Sequence, residues 1–133
     1  MTGAAIAASL ADRARETGAL AIDTEFMGEG RYRALLCLIQ VAVADGDGPS
    51  RVEVLDPLDA GLDCSPLAAV LADPEIEIVL HAGRQDVALL RRVWGTEVRN
   101  VFDTQVAAGF AGMRAQIGYE SLLNELLDLR VRK

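Results

Sequence analysis

The chain has 133 residues, and its 51% hydrophobic content is enough to build one compact domain with a sizeable core. Its 13 basic residues stand against 20 acidic residues, which gives a net charge of −7 at pH 7. This balance excludes a broad basic surface that holds nucleic acid by neutralising many phosphates. A polyanion would have to be gripped locally, as cations bound between carboxylates can do.

The sequence contains no segment that predicts a membrane or secreted protein. Its longest apolar stretch, residues 34–44, is too short to cross a bilayer. The first twenty residues lack the basic start and the long apolar segment of a secretory signal. Cys37 and Cys64 show neither a paired spacing nor a metal-ligand pattern, so we expect both to be reduced thiols. A cytoplasmic location without membrane contact is therefore expected.

Apolar periodicity and turn residues predict ten elements along the chain. In order they are a helix at 3–17, strands at 19–25, 35–44 and 51–55, a helix at 65–72, a strand at 76–81, a helix at 84–94, a strand at 98–102, and helices at 104–111 and 119–129. Three strands in meander order, followed by alternating helices and strands, predict an α/β sheet that is antiparallel on one side and parallel on the other. Ligands of such sheets gather at the carboxyl ends of the parallel strands.

Two carboxylates stand where the first predicted strand reaches solvent. Asp23 and Glu25 follow a short apolar run, and the alternation of a strand places both on one face, roughly 6.5 Å apart. Two divalent cations about 3.5–4 Å apart, the spacing used in phosphodiester hydrolysis, fit beside such a pair. The pattern Asp-x-Glu also occurs by chance, and the alternative is a solvated strand end.

A third carboxylate interrupts the apolar face of the helix at 84–94. Asp86 shares one helical stripe with Leu89, Leu90 and Val93. An inward carboxylate costs several kcal/mol unless it meets a donor or a cation. If the strands at 19–25 and 76–81 are parallel, Asp86 comes within reach of the acidic pair. The alternative is an acidic first-turn residue that interacts with the helix dipole.

Several segments together resemble the DEDD family of 3′-to-5′ exonucleases, in particular ribonuclease D. They are Asp23-Thr24-Glu25-Phe26, residues 36–40, Asp56-Pro57, residues 81–86, residues 102–105 and residues 117–119, in the order and spacing of the family. The resemblance covers residues 19 onwards. It implies a ribonuclease H-like α/β fold, with a five-stranded mixed sheet flanked by helices, and a two-metal exonuclease site.

The resemblance also implies a role for each site residue. Asp23 would bridge two divalent cations, Mg²⁺ or Mn²⁺, which prefer hard oxygen ligands. Glu25 would bind the ion that activates water, and Asp86 would hold the second ion. The substrate-binding residues expected from it are Thr24, Phe26 and Met27 around the terminal nucleotide, with His81 and Gln85 against the substrate backbone.

Some polar residues near these motifs have structural alternatives. His81 closes a buried strand, so a hydrogen-bonded framework role is at least as reasonable as catalysis. Asp103 opens the helix at 104–111 and is expected to be its N-cap instead of a fourth metal ligand. Arg31 and Arg33 flank Tyr32 in a loop that we expect to be solvated, with phosphate contact as the alternative.

The third motif of the family has no counterpart in this sequence. It is a Tyr followed four residues later by the fourth Asp, and no such spacing occurs from Tyr119 onwards. We therefore expect a single exonuclease domain over residues 1–133, composed of an N-terminal helix at 1–18 and a sheet with helices at 19–133, that is truncated at its carboxyl end. Its activity should be crippled, and an uncovered apolar groove should favour a homo-oligomer or a partner chain.

The expected function is hydrolysis of RNA 3′ ends, either single-stranded or like those of transfer RNA precursors. A DNA exonuclease with the same fold remains open, because nothing in the sequence shows what would read a 2′-hydroxyl. A non-catalytic module for nucleic-acid binding or assembly also remains open. The three retained carboxylates speak against that module, whereas the absent fourth speaks for it.

Overall fold

The computed structural model of the protein describes residues 1–132, so the last residue of the predicted domain, Lys133, lies outside the described part. After the first helix the chain forms three consecutive strands, and helices and strands alternate from there to the fifth strand. The elements are α1 Gly3–Thr17, β1 Ala19–Met27, β2 Leu35–Val43, β3 Arg51–Leu55, α2 Ser65–Leu71, β4 Glu77–Leu80, α3 Arg84–Trp94, β5 Val101–Asp103, α4 Thr104–Phe110 and α5 Tyr119–Leu127. No helix within these 132 residues is long and apolar enough to span a bilayer.

All ten predicted elements are confirmed, with small shifts at their ends. The largest shift concerns β5, which begins at Val101, three residues later than predicted. The residues just before it are held elsewhere, because the Arg99 amide donates to the Leu71 carbonyl of α2 at 3.1 Å. At the other end of the chain, α1 stops where predicted, since Gly18 adopts a φ of 79° that favours glycine.

The strands form one mixed sheet in the order β3-β2-β1-β4-β5. β3, β2 and β1 are antiparallel neighbours, whereas β1, β4 and β5 run parallel. The predicted fold class, an α/β five-stranded mixed sheet with flanking helices, is therefore confirmed. The two parallel strands that follow β1 in space deliver their carboxyl ends to the same edge of the sheet as the acidic pair.

The main core lies between one face of the sheet and the helices α1, α2 and α3. Leu20 and Ile22 of β1 point into it, together with Ile39 of β2 and Ile78 of β4. Leu10 of α1 is fully buried there, so α1 belongs to the same core as the sheet. A second, smaller cluster of Ala108, Ile117 and Leu122 joins α4 to α5.

The opposite face of the sheet, called the open face below, carries apolar side chains that remain in contact with solvent. One row of cross-strand neighbours on this face runs through all five strands and consists of Val52, Ala42, Ala21, Val79 and Phe102. Val52 is 60% exposed and Phe102 45% exposed. Asp23 pairs with Gln40 one step further along the same face, so the acidic pair borders this apolar row.

Candidate active site at the end of strand β1

The two carboxylates of β1 lie side by side on the open face of the sheet. Asp23 and Glu25 are both exposed, whereas Thr24 between them is 6% exposed and points to the other face. This alternation follows from the pleat of the strand. The register of β1 against β2 shifts between Glu25 and Phe26, so an irregularity follows the acidic pair directly.

The free edge of β1 explains how the third carboxylate reaches the pair. β4 pairs only with Ala19–Ala21, so the Thr24 backbone N–H has no strand partner on that side. Asp86, in the first turn of α3, takes its place. Its Oδ1 atom accepts the Thr24 N–H at 3.1 Å and the Thr24 hydroxyl at 2.5 Å. A buried polar group must find such a partner, and here both partners are buried, since Asp86 is 8% exposed.

Asp86 and Glu25 both lie close enough to Asp23 to act on its charge. The pKa of Asp23 is raised above its ordinary value, first by partial burial and then by the negative charges of Asp86 and Glu25. The Thr24 amide acts in the opposite direction. Asp23 therefore carries a charge that two neighbouring carboxylates disfavour, which is the electrostatic condition that a bound cation relieves.

The turn between β4 and α3 fixes the place of Asp86. Asp103, at the end of β5, caps α4 by accepting the Gln105 and Val106 amides, so its predicted N-cap role is confirmed. The same carboxylate also accepts the amides of Ala82 at 3.0 Å and Gly83 at 2.9 Å. Burial acts to raise the pKa of Asp103, but these four N–H donors outweigh it and lower the pKa. The bonds tie β5 to the turn that precedes Asp86.

The same turn has two further local constraints. Ala82 has a φ of 52°, a left-handed conformation that is unusual for alanine. Gly83 packs so closely that a Cβ atom there would lie 2.6 Å from the Leu80 Cβ. Any larger residue at position 83 would therefore have to displace Leu80 and disturb the turn from β4 into α3.

The other predicted substrate residues surround this site in different ways. Phe26 is 38% exposed and Met27 56% exposed, so both offer apolar surface just beyond Glu25. Gln85 is exposed on α3, next to Asp86. His81 has both ring nitrogens engaged within the protein, Nδ1 with the Thr104 hydroxyl at 2.8 Å and Nε2 with the Ile117 carbonyl at 2.9 Å. These bonds favour the framework alternative for His81.

The donor set suits a hard divalent cation, although the side chains do not converge fully as they stand. Within residues 1–132, no three His, Cys, Asp or Glu side chains are arranged to hold a metal ion. Asp86 Oδ2 accepts no hydrogen bond from the described residues, and the exposed carboxylates of Asp23 and Glu25 are also oxygen donors. The residues therefore fit Mg²⁺ or Mn²⁺ chemically.

A mixed sheet that gathers carboxylates at the end of its central strand defines the class of ribonuclease H-like exonuclease domains. The model of the 3′-5′ exonuclease family matches residues 1–133, and the chain belongs to this family.

The chain is similar in sequence and in structure to proteins of the ribonuclease D type. The ribonuclease D of Gluconacetobacter diazotrophicus is 40% identical over 122 residues, which are 92% of this chain and 30% of that protein. The crystal structure of Escherichia coli RNase D, described as an exoribonuclease involved in structured RNA processing, superimposes with a TM-score of 0.83 at 35% identity. That match covers 99% of this chain and 34% of the E. coli chain, so this chain spans about a third of these relatives.

A third relative is Brucella melitensis NrnC. Its structure with bound Mg²⁺ matches with a TM-score of 0.68 at 30% identity, over 88% of this chain and 57% of that one. NrnC has also been solved bound to pGG, with the same TM-score.

Sequence reasoning missed the direct bond between Thr24 and Asp86 and the second role of Asp103. One signal for the first was present: a residue between two carboxylates on a strand must point to the opposite face, and the apolar stripe around Asp86 likewise directs that carboxylate inward. No local signal indicated that Asp103 reaches back to Ala82 and Gly83, because that contact joins residues 20 and 21 positions apart.

Proposed function

We propose that this chain is the catalytic domain of a 3′-to-5′ exoribonuclease that hydrolyses the terminal phosphodiester bond of RNA. The hydrogen bonds from Thr24 to Asp86 carry the proposal, because they join the carboxylate of α3 to the strand that bears Asp23 and Glu25. The ribonuclease D relatives support RNA as the substrate. Single-stranded 3′ ends, or those of transfer RNA precursors, are the substrates that we propose.

Asp23, Glu25 and Asp86 would hold two divalent cations, Mg²⁺ or Mn²⁺. The Mg²⁺ bound in NrnC supports this choice. Asp23 would hold the ions together with Glu25 and Asp86, whose negative charges both act on it. Asp86 would be kept in place for this role by its hydrogen bonds from Thr24. Cations bound by these oxygens lower the pKa of an attacking water and stabilise the leaving 3′ oxygen.

The neighbouring residues would orient the terminal nucleotide. Phe26 and Met27 present apolar surface on which a base can stack. Gln85 would contact the substrate backbone from the first turn of α3. The Thr24 hydroxyl and N–H are both engaged by Asp86, which leaves the backbone carbonyl of this residue for substrate. For His81 we favour the framework role, because both ring nitrogens already have partners.

The domain proposal is one exonuclease domain over residues 1–133. The shared core of α1 and the sheet supports it, as does the family match over the same range. A cytoplasmic location is also part of the proposal, and the free thiols of Cys37 and Cys64 are consistent with a reducing compartment.

Calorimetric titration with Mn²⁺ tests the metal assignment most directly. We expect two bound ions for the wild-type chain and loss of binding for Asp23→Asn. Asp47→Asn, which neutralises an exposed acid in the turn between β2 and β3, is the matched control and should bind as the wild type does. A wild-type chain that binds no Mn²⁺ would contradict the assignment and favour a non-catalytic module.

Shortening of labelled oligonucleotides tests the reaction itself. RNA should lose mononucleotides from its 3′ end in Mn²⁺, and blocking the 3′ hydroxyl should stop it. We expect a rate far below that of a four-carboxylate relative, because residues 23–132 offer three candidate ligands and no Tyr-x-x-x-Asp spacing. A comparable rate would refute this expectation, and preference for a matched DNA strand would favour the DNA alternative.

We further propose that a second copy of this chain covers the open face. Five strands about 4.8 Å apart place the apolar row over roughly 20 Å, which corresponds to a patch of a few hundred Å². A stable interface usually buries about 800 Å² on each partner, so association should be weak and concentration-dependent. A partner chain that covers the same face is the alternative. A monodisperse monomer by light scattering at high concentration would count against it.

A further inference from the structure

The arginines of this acidic protein fall into two groups. Five of them pair with a carboxylate: Arg13 with Glu16, Arg15 with Asp12, Arg51 with Glu53, Arg91 with Glu97 and Arg114 with Glu125. Seven others form no ion pair within residues 1–132, and they are Arg31, Arg33, Arg84, Arg92, Arg99, Arg130 and Arg132. Four of these seven lie around the carboxyl end of β1, beside the acidic site.

The loop after β1 brings two of these arginines to the site. β1 ends at Met27, two residues after Glu25, and the chain returns at Leu35, which pairs with Met27. The connecting residues 28–34 therefore extend from the strand end that carries the acidic pair. They carry Arg31 and Arg33, which are both exposed.

Helix α3 brings the other two. Arg84 is its first residue, two positions before Asp86, and is exposed. Arg92 lies further along the helix and donates from its guanidinium to the Ala34 carbonyl, the last residue of the loop. This bond fastens the loop to α3, so the four arginines belong to two connected segments that flank one site. We call them the arginine margin.

The arginine margin concentrates positive charge where the rest of the molecule repels a polyanion. With a net charge of −7, the chain as a whole disfavours nucleic acid, so a strand needs local attraction to approach the carboxylates. Exposed ion pairs stabilise a fold little, so these four arginines can stay without a carboxylate partner at almost no loss of stability. Their charge is then available to a bound phosphate. Glu29 is the one acid of the loop and offsets part of this charge.

An aromatic ring stands in the middle of the margin. Tyr32, between Arg31 and Arg33, is 99% exposed. A fully solvated ring contributes nothing to the core, but it is a platform on which a base can stack whatever its sequence. Guanidinium groups on either side of such a ring match the backbone of a single strand, with phosphates bound and one base stacked.

We propose that the arginine margin and Tyr32 bind the single-stranded RNA segment that leads to the active site, through its phosphates and one base. This inference rests on the proposed function, since that function supplies the strand whose 3′ end reaches Asp23. The proposed surface lies outside the acidic motifs. RNA bound there should show no sequence preference, and its affinity should depend strongly on salt.

Fluorescence anisotropy with a labelled single-stranded oligoadenylate, in EDTA so that no cleavage occurs, tests the surface. Arg33→Glu should weaken binding by about fivefold or more and reduce the slope of log affinity against log salt by about 0.7, the value for one phosphate contact to a single strand. Arg99→Glu is the matched control. It makes the same charge change at an exposed arginine that forms no ion pair within residues 1–132. Arg99 lies before β5 at the opposite end of the sheet, so this variant should bind within about twofold of wild type.

Two further variants separate charge from stacking. Tyr32→Ala should lower affinity by about fivefold or more with an unchanged salt slope, because a base contact releases no counterions. Arg33→Lys should keep the wild-type slope. Equal losses in Arg33→Glu and Arg99→Glu would overturn the proposal, as would a wild-type chain that does not bind the oligonucleotide.

The same preparations distinguish this inference from the proposed function. Arg33→Glu should bind Mn²⁺ as the wild type does, whereas Asp23→Asn should not. If Arg33→Glu binds RNA normally while the Mn²⁺ results hold, the margin is wrong and the catalytic assignment stands. If the wild type binds RNA through the margin but takes up no Mn²⁺, the catalytic assignment fails instead.

Discussion

Replacing Thr24 with valine should remove one of the two hydrogen bonds that join β1 to Asp86. Valine keeps the shape and the backbone N–H of Thr24 but removes the hydroxyl, which lies 2.5 Å from Asp86 Oδ1. A hydrogen bond to a charged group contributes about 1.5–3 kcal/mol net. The hydrogen bond from the Thr24 backbone N–H to Asp86, at 3.1 Å, remains in the variant. We therefore expect a loss at the lower end of this range, about 1.5 kcal/mol in the free energy of unfolding. For a chain of this size that is a fall in Tm of about 6 °C.

The same variant should bind metal more weakly. Asp86 would keep one of two donors that fix its carboxylate, and loss of a group that orients a metal ligand typically costs about 10-fold to 100-fold in affinity. Chemical denaturation in EDTA measures the first effect, and calorimetric titration with Mn²⁺ measures the second.

Thr24→Ser is the control for both measurements. It retains the hydroxyl and loses only a methyl group, so it should recover most of the Mn²⁺ affinity that Thr24→Val loses. A valine variant with wild-type stability and wild-type Mn²⁺ affinity would refute the positioning role of Thr24. So would a serine variant as impaired in Mn²⁺ binding as the valine variant.

Three other substitutions test the surroundings of the site. Asp103→Asn should lower the free energy of unfolding by about 1.5–3 kcal/mol at pH 7, since four N–H groups lose a charged acceptor. The pKa of Asp103 is lowered in the fold, so this stability is present above its ordinary value of 3.8 and is lost as the pH falls through the lowered pKa. Asp23→Asn should raise the Tm at pH 7 in EDTA. The pKa of Asp23 is raised, so its favourable contribution is complete below 3.8 and is lost as the pH rises through the raised pKa. Gly83→Ala should destabilise the fold by about 1–3 kcal/mol, because its Cβ would meet Leu80 at 2.6 Å. Ala82→Gly should instead be neutral or stabilising, since φ is 52° there.

Thermal and chemical denaturation across pH 3–7 check these expectations. A stability difference between Asp103→Asn and wild type that persists unchanged below pH 3.8 would contradict the role given to its charge. A lower Tm for Asp23→Asn at pH 7 in EDTA would contradict the repulsion that Asp86 and Glu25 exert on Asp23. If Gly83→Ala were as stable as wild type, the turn into α3 would be looser than its packing indicates.

The sequence alone determined the elements and the fold class of this protein. Apolar periods of about two and 3.6 residues, interrupted by Gly and Asp, are local signals that the chain carries without its tertiary structure. The helix end at residue 17 and the break between the strands at 35–44 and 51–55 are examples, and these predicted boundaries hold within a residue or two. The acidic residues 23, 25 and 86 could also be selected, because a carboxylate at a strand end or within an apolar stripe is conspicuous.

Tertiary structure decided how those residues meet. The Thr24 bond to Asp86 exists because β4 stops pairing with β1 after Ala21 and leaves an amide that a side chain 62 residues away can satisfy. The anchoring of Arg92 is equally a matter of tertiary structure, since its guanidinium donates to the Ala34 carbonyl across 58 positions. Such partners are chosen by packing and electrostatics between distant segments, and a local pattern carries no information about them.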